Sequence, residues 1–221
     1  LLDGVVDYLP SPLDRDQGKT VGTDPKTGNE IVREASNSEP LTALAFKIAT
    51  DPFVGKLIFI RVYSGKLEAG SYILNATTGN KERVGRLVRM FANDRTDIQE
   101  IGAGDIAAVV GMKNCTTGTT ICDPAHPILL ESIEFPDPPV SIAVEPKSKA
   151  DQEKMGVGLN TLCADDGVLS YKFEPELGQG IISGLGDTHI DVAISRLKSR
   201  WGVEVETSKP KVAYRETIRK A

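Results

Sequence analysis

Between residues 41 and 133 the chain reads as short apolar runs cut by turn residues. LTALAFKI, KLIFIRVY, SYILN, VGRLVRMF, DIAAVVGM and PILLES are divided by Asp51-Pro52, Ser64-Gly65, Thr78-Gly79-Asn80, Gly102 to Gly104 and Thr117-Gly118. Runs of this length, rich in Val, Ile, Phe and Tyr, predict strands, and no helical period interrupts them, so a closed β-barrel is expected. Before them, Leu1, Leu2, Val5, Val6 and Leu9 recur at helical spacing until Pro10 and Pro12 stop the pattern. Residues 13–40 are polar and rich in turn formers, and predict a linker or irregular lead-in.

After FPDPP, residues 135–139, the texture changes. VSIAVEP predicts a strand, and SKADQEKMGVGLNTLCADD sets Met155, Leu159, Leu162 and Cys163 on one helical face, with Ser148 and Asp151 at its start. LSYKFEPE and QGIISG predict two strands about a turn at 176–178. Ile190, Ala193, Ile194, Leu197 and Trp201 then form a second helical stripe, and VEVETS predicts a last strand. The order β-α-β-β-α-β is the split arrangement of ferredoxin-like domains, so the fold class is mainly β followed by α+β.

GLGDTHID, residues 184–191, is the stretch that most resembles a chemical site. On a strand, Asp187, His189 and Asp191 would share a face and offer a metal or acid–base cluster. On the predicted helix, at about 100° per residue, His189 and Asp191 diverge by roughly 200° and cannot hold one ion. Asp187 is then an N-terminal helix residue, accepting a backbone N–H and favoured by the dipole. A carboxylate or metal enzyme centred on these residues is the weakest of the functional readings.

Composition is that of an ordinary soluble chain, with 40% hydrophobic and 26% charged residues. No window reaches the roughly 18 consecutive apolar residues of a membrane span. A cytoplasmic, monomeric protein is expected, and the absence of an initial Met suggests a piece of a longer chain. Cys115, Cys122 and Cys163 form no paired motif, and the only histidines are His126 and His189, so neither a disulfide framework nor a metal is expected. Gly18-Lys19-Thr20 mimics the end of a phosphate-binding loop, but Leu13 stands where its first glycine belongs and no apolar strand leads in.

The net charge is −5, with the basic residues unevenly placed. Lys81, Arg83, Arg86, Arg89 and Arg95 face only Glu82 and Asp94 within 81–95, and residues 196–220 are also basic, leaving the remainder strongly acidic. That polarity suits contact with a nucleic-acid backbone; it also suits ordinary solvated strand and helix faces.

TALAFKIATDPFVGKLIFIRVYSG, AGDIAAVVGMKNCTTGTTICD, ILLESIEFPDPPVSIAVEPKSKADQEKMG, GLGDTHID and KPKVAYRETI resemble elongation factor G, the ribosomal translocase GTPase, over nearly the whole chain. The resemblance implies that residues 1–12 end a GTP-binding domain, 13–40 lead in, 41–135 are the translation-factor β-barrel, 136–208 the ferredoxin-like third domain, and 209–221 the start of the next. It implies a full-length parent that is a GTPase using GTP and Mg2+, moving tRNA and mRNA after peptide bond formation. The fragment itself would hold no nucleotide, cofactor or metal and would have no catalytic residue. Its implied partners are the ribosome, through small-subunit rRNA and a small-subunit protein, and the GTP-binding and tip domains of the same chain. Lys81, Arg83, Arg86 and Arg89 become candidates for the rRNA-facing strand pair, presenting one row of cations to phosphates. Pro136, Pro138, Asp166, His189 and Arg196 take wall positions of an interdomain pocket that in this family accepts fusidic acid.

The sequence departs from the family where that wall is built. The usual G-M-G-E-L-H-L-E is GLGDTHID, with Thr188 for Leu; Ala193 replaces a larger aliphatic residue, and the usual D-P-T-F is Asp166, Gly167, Val168, Leu169. These changes remove apolar volume and a hydroxyl, which puts drug sensitivity in question. They also suit an alternative, a divergent paralogue acting in ribosome recycling or ribosome protection.

Overall fold

The computed structural model describes residues 1–51, 54–92, 94–112 and 114–212. The chain separates into two units, one spanning Leu1–Ile133 and the other beginning at Glu134. The resemblance-implied start of a further domain at 209–221 lies, from residue 213 onward, outside the described residues.

The first unit opens with helix α1 (Leu2–Tyr8), whose Leu9 is already extended at φ −91° and ψ 133°. Pro10 disfavours helical backbone in the residue before it, so the helix ends where the sequence predicts. Residues 13–40, expected as an irregular lead-in, instead hold a hairpin, β1 (Lys19–Thr23) and β2 (Glu30–Glu34), paired from Lys19↔Glu34 to Thr23↔Glu30. Its large apolar residues are few, with Val21 opposite Val32, so periodicity had little to register.

The strands that follow are β3 (Thr42–Asp51), β4 (Gly55–Ser64), β5 (Lys66–Glu68), β6 (Tyr72–Asn75), β7 (Asn80–Arg83), β8 (Arg86–Phe91), β9 (Asp94–Ile98), β10 (Glu100–Gly102), β11 (Ile106–Val110) and β12 (Thr119–Cys122). Eight form one antiparallel sheet in the order β7-β6-β12-β3-β4-β11-β8-β9, and β5 pairs with β10. The sheet wraps a single core of Ala43, Ala45, Ile48, Ile58, Ile60, Val62, Leu67, Ile73, Leu87, Ile101, Val109 and Ile121, giving the barrel-like unit that the alternation predicts. On β4, Ile58, Ile60 and Val62 enter this core, while Leu57 and Phe59 join a smaller cluster with Val88 and Ala108 on the outer face. β3 changes phase midway. Ala45 pairs with Ile60 and Lys47 with Phe59, which leaves Phe46 as the extra residue of a bulge and brings Ile48 into the core after Ala43 and Ala45.

PILLES, expected as a strand, makes only an isolated bridge, Leu129 to Thr23, which ties the chain to the hairpin. Between β7 and β8 the chain passes close to β11: a Cβ on Gly85 would lie 2.2 Å from the Val110 carbonyl oxygen. Only glycine fits there, and the two strands it joins occupy separate places in the sheet.

The second unit consists of β13 (Val140–Pro146), α2 (Gln152–Asp165), β14 (Ser170–Glu174), β15 (Gln179–Gly184), α3 (Asp187–Trp201) and β16 (Val205–Ser208). Its sheet order is β14-β15-β13-β16, all antiparallel, the ferredoxin-like βαββαβ topology. Ser148 accepts a bond from the Ala150 N–H and starts the turn before α2; Gly202, at φ 69°, ends α3 in the left-handed conformation that glycine adopts without cost. Met155, Leu159 and Leu162 of α2 and Ile190, Ala193 and Leu197 of α3 bury against Val144 and Ile182 of the sheet. Gly158 lets the helices approach, since a Cβ there would meet Leu197 Cδ1 at 2.5 Å.

Candidate functional site

The four cations expected to form one row do not. Lys81 and Arg83 share a face of β7, opposite Leu74 and Tyr72 of β6, and β7 is an edge of the sheet. Arg86 and Arg89 lie on β8, between β11 and β9, at the other end of the strand order. Three residues apart on a strand, they project from opposite faces. The pair is also partly neutralised: Arg86 meets Asp97 at 3.9 Å and Arg89 meets Asp105 at 3.7 Å. Arg83 donates its Nε–H to the Gly70 carbonyl at 3.3 Å, and beside it Tyr72 is 68% exposed. What β7 offers is a short exposed strip of two cations and an aromatic ring.

The second unit gathers its candidates more tightly. Asp166, His189 and Arg196 line a cavity of about 20 Å³ together with Leu162, Leu169, Val192 and Ala193. Asp166 meets two residues of a distant segment there because α2 and α3 pack side by side, with Asp166 just past the end of one and His189 and Arg196 two turns apart on the same side of the other. Pro136 and Pro138 do not line it; Pro136 is exposed and Pro138 half-buried. Phe135, next to Pro136, instead covers Gly167, where a Cβ would meet its ring at 2.6 Å.

The hydrogen bonds fix the imidazole. The Leu185 N–H donates to His189 Nδ1 at 3.1 Å, so that nitrogen carries no proton, and Nε2–H donates to Asp166 Oδ2 at 3.0 Å. Asp166 Oδ1 accepts from the Val168 N–H at 3.0 Å and from Leu169 at 3.4 Å. Burial alone would raise the Asp166 carboxyl, but these backbone donors and His189 outweigh it and hold the group below its ordinary value. The result is a chain of bonds linking the turn after α2 to the turn before α3. Gly184 makes room for it, since a Cβ there would sit 3.0 Å from Nδ1.

Both ring nitrogens of His189 are thus engaged by protein groups. Asp187 and Asp191 are exposed, Gly186 occupies the N-cap, and Asp187 is the first helical residue. Asp187 therefore complements the helix dipole without capping a backbone N–H from the N-cap position. Burial, with the Asp166 carboxylate adding to it, pushes the Cys163 thiol up to about 11, and burial does the same to Cys115. Neither thiol is poised as a nucleophile. Among the described residues no helix is long and apolar enough to cross a membrane.

The sequence named Asp166 and His189 as wall residues through a family resemblance, but not their mutual bond. The backbone N–H that sets the tautomer belongs to Leu185, whose side chain carries no chemical signal, so residue-type reasoning had nothing to find.

Comparison with known proteins gives two consecutive family matches: elongation factor G domain 2 over residues 40–124, and elongation factor G domain III over residues 135–209. A crystal structure of a protein from Thermus thermophilus superposes with a TM-score of 0.72 at 29% identity, over 99% of this chain. This chain covers 30% of the length of that one.

Proposed function

The chain belongs to the elongation factor G family, of which it spans the second and third domains, and from that premise we propose that it is the ribosome-contacting and relay portion of a GTP-dependent translocase. In this reading the parent moves tRNA and mRNA after peptide bond formation, in the cytoplasm and as a monomer. GTP and Mg2+ are held by another domain of the parent, and this portion contributes no catalytic residue.

The observation that carries the proposal is the succession of the two domains in their family order, with an exposed cationic strip on the first. Lys81 and Arg83, flanked by Tyr72, suit phosphate and sugar contacts of small-subunit rRNA, because such contacts need flexible or forked cations and tolerate an aromatic neighbour. Arg86 and Arg89 are the weaker members, each sharing its charge with a carboxylate. In the second domain, Asp166, His189 and Arg196 form the part of the interdomain wall that meets the GTP-binding domain, with Pro136 and Pro138 beside it. A histidine locked in one tautomer presents a fixed surface, which suits a relay between nucleotide state and the tip domains.

Co-sedimentation of the chain with small ribosomal subunits across a salt series tests this. Association should weaken as salt rises, and Lys81→Ser with Arg83→Ser should lower both the affinity and the salt slope by about two counterions' worth. Tight binding of GTP by this chain, or association indifferent to salt and to both substitutions, would refute the assignment.

A second reading, a divergent paralogue serving ribosome recycling or ribosome protection, is favoured by one local feature. Ala193 is 4% exposed and lines the wall cavity, so the smaller side chain leaves space where the family carries bulk. Translocation by the full-length parent on programmed ribosomes separates the two: an inactive but ribosome-binding parent supports the paralogue.

A further inference from the structure

A slot of about 610 Å³ lies between the β1–β2 hairpin and the outer face of β3 and β4, within the size range of small-molecule sites. Part of its wall is apolar: the facing pair Val21 and Val32 on the hairpin, Leu44 on β3, and Leu130 beyond the Leu129 bridge. Val21 is 55% and Val32 46% exposed, although strand pairing holds them side by side as a ready apolar surface.

One charged group dominates this slot. Arg61, the β4 neighbour of Leu44, stands over the ring of Tyr63 at 5.4 Å, and its Nε is buried without a hydrogen-bond partner among the described residues. The cation–π contact holds the guanidinium on the Tyr63 side before anything binds. Nε itself is closed to solvent, so an anion in the slot would be met by the two terminal nitrogens of the same guanidinium, which donate to no protein group among the described residues. Of the other charged lining residues, Arg15 is paired with Asp16 at 3.5 Å, which leaves Lys19 and Arg61 against Glu131, an excess of one positive charge. A single excess charge beside a fork matches a carboxylate; a phosphate dianion would be left partly uncompensated next to Glu131 and Asp16.

We propose that this slot binds a small amphipathic carboxylate, with the charged end on Arg61 and the apolar body between Val21, Val32 and Leu44. The site is separate from both surfaces discussed above and does not depend on the ribosomal reading.

The test is an amide chemical-shift titration of the uniformly 15N-labelled chain with 3-phenylpropionate, compared with 3-phenylpropan-1-ol and phenyl phosphate. Shifts should cluster on residues 19–21, 32 and 61–63, and the carboxylate should bind at least about tenfold more tightly than the alcohol, the scale of one charge-assisted bond. Arg61→Met should erase that preference while preserving the apolar contact. Val32→Glu, a change at an exposed strand position, should weaken the carboxylate by a similar factor and keeps the question open to test should the Arg61 variant misfold. Equal affinity for acid and alcohol, tighter binding of phenyl phosphate, shifts confined to residues 2–9, or none up to the ligand's solubility limit would each overturn the proposal.

Discussion

The barrel-like unit and the βαββαβ unit place their candidate residues by opposite means. In the first, Lys81, Arg83, Arg86 and Arg89 are near neighbours in sequence, yet β7 and β8 pair with different strands, and Arg86 and Arg89 project from opposite faces, so the four do not form one row. In the second, Asp166 and His189 are well separated in sequence, yet helix packing brings them to 3.0 Å. Closeness along the chain is thus a poor guide to a shared surface when consecutive strands do not pair with each other. Closeness across two packed helices follows directly from their apolar stripes.

The sharpest way to separate the units is to remove the centre of one. Leu197 is fully buried between α3, α2 and the sheet, and Leu197→Ala should cost about 2–5 kcal/mol. The only tryptophan, Trp201, packs against the same core, so urea denaturation followed by its fluorescence should shift to lower midpoint. Amide exchange of β3 and β4 should stay unchanged; loss of protection there as well would show that the units do not stand on separate cores.

The corresponding blow to the barrel is Gly85→Ala. Its Cβ would press on the Val110 carbonyl, and overpacking of this kind costs about 1–3 kcal/mol. Exchange protection in β8 and β11 should fall while the Trp201 transition stays in place. An unaltered barrel would mean that the crossing between β7 and β8 is looser than its geometry implies.

A smaller effect is expected at the tie between the helix ends. His189→Ala leaves the Leu185 N–H and one Asp166 oxygen without their partner, at a cost of about 1 kcal/mol, reduced because both side chains retain some solvent. The pH dependence has a defined sign. Asp166 is held below its ordinary 3.8, so its stabilisation is complete above that value and is lost as pH falls through the lower folded value. The difference between the wild type and Asp166→Asn in urea should therefore be constant near neutrality and shrink in strong acid; a difference that grows on acidification would contradict the bond network.

The smallest change should come from Asp97→Asn. It frees Arg86 from an exposed pair and should alter stability by less than about 0.5 kcal/mol. If Arg86 takes part in the proposed ribosome contact, association in the co-sedimentation assay should strengthen slightly at low salt.

Much of this architecture is legible along the chain because both periods are strong: Ile58, Ile60 and Val62 at a spacing of two, and Ile190, Ala193, Ile194 and Leu197 at helical spacing. What escaped reading lacks such a signal. The β1–β2 hairpin is held by backbone pairing and by the Thr23–Leu129 bridge, with only Val21, Ile31 and Val32 to mark it. PILLES looks like a strand by composition but, among the described residues, forms only that bridge. The Arg61 slot joins residues from six separate segments and has no motif at all. The wall residues were reachable only through likeness to a family, because the bond that organises them uses a main-chain donor.

Phe46, the unpaired residue in β3, carries a consequence for how such chains vary. Removing it would leave Ala43, Ala45 and Ile48 on the inner face, because the bulge supplies the one-residue offset that separates them from strict alternation. The middle of this strand is thus a place where length is free to change by one without disturbing inside and outside. Sequences aligned across it should tolerate a gap in a position where gaps are ordinarily confined to loops.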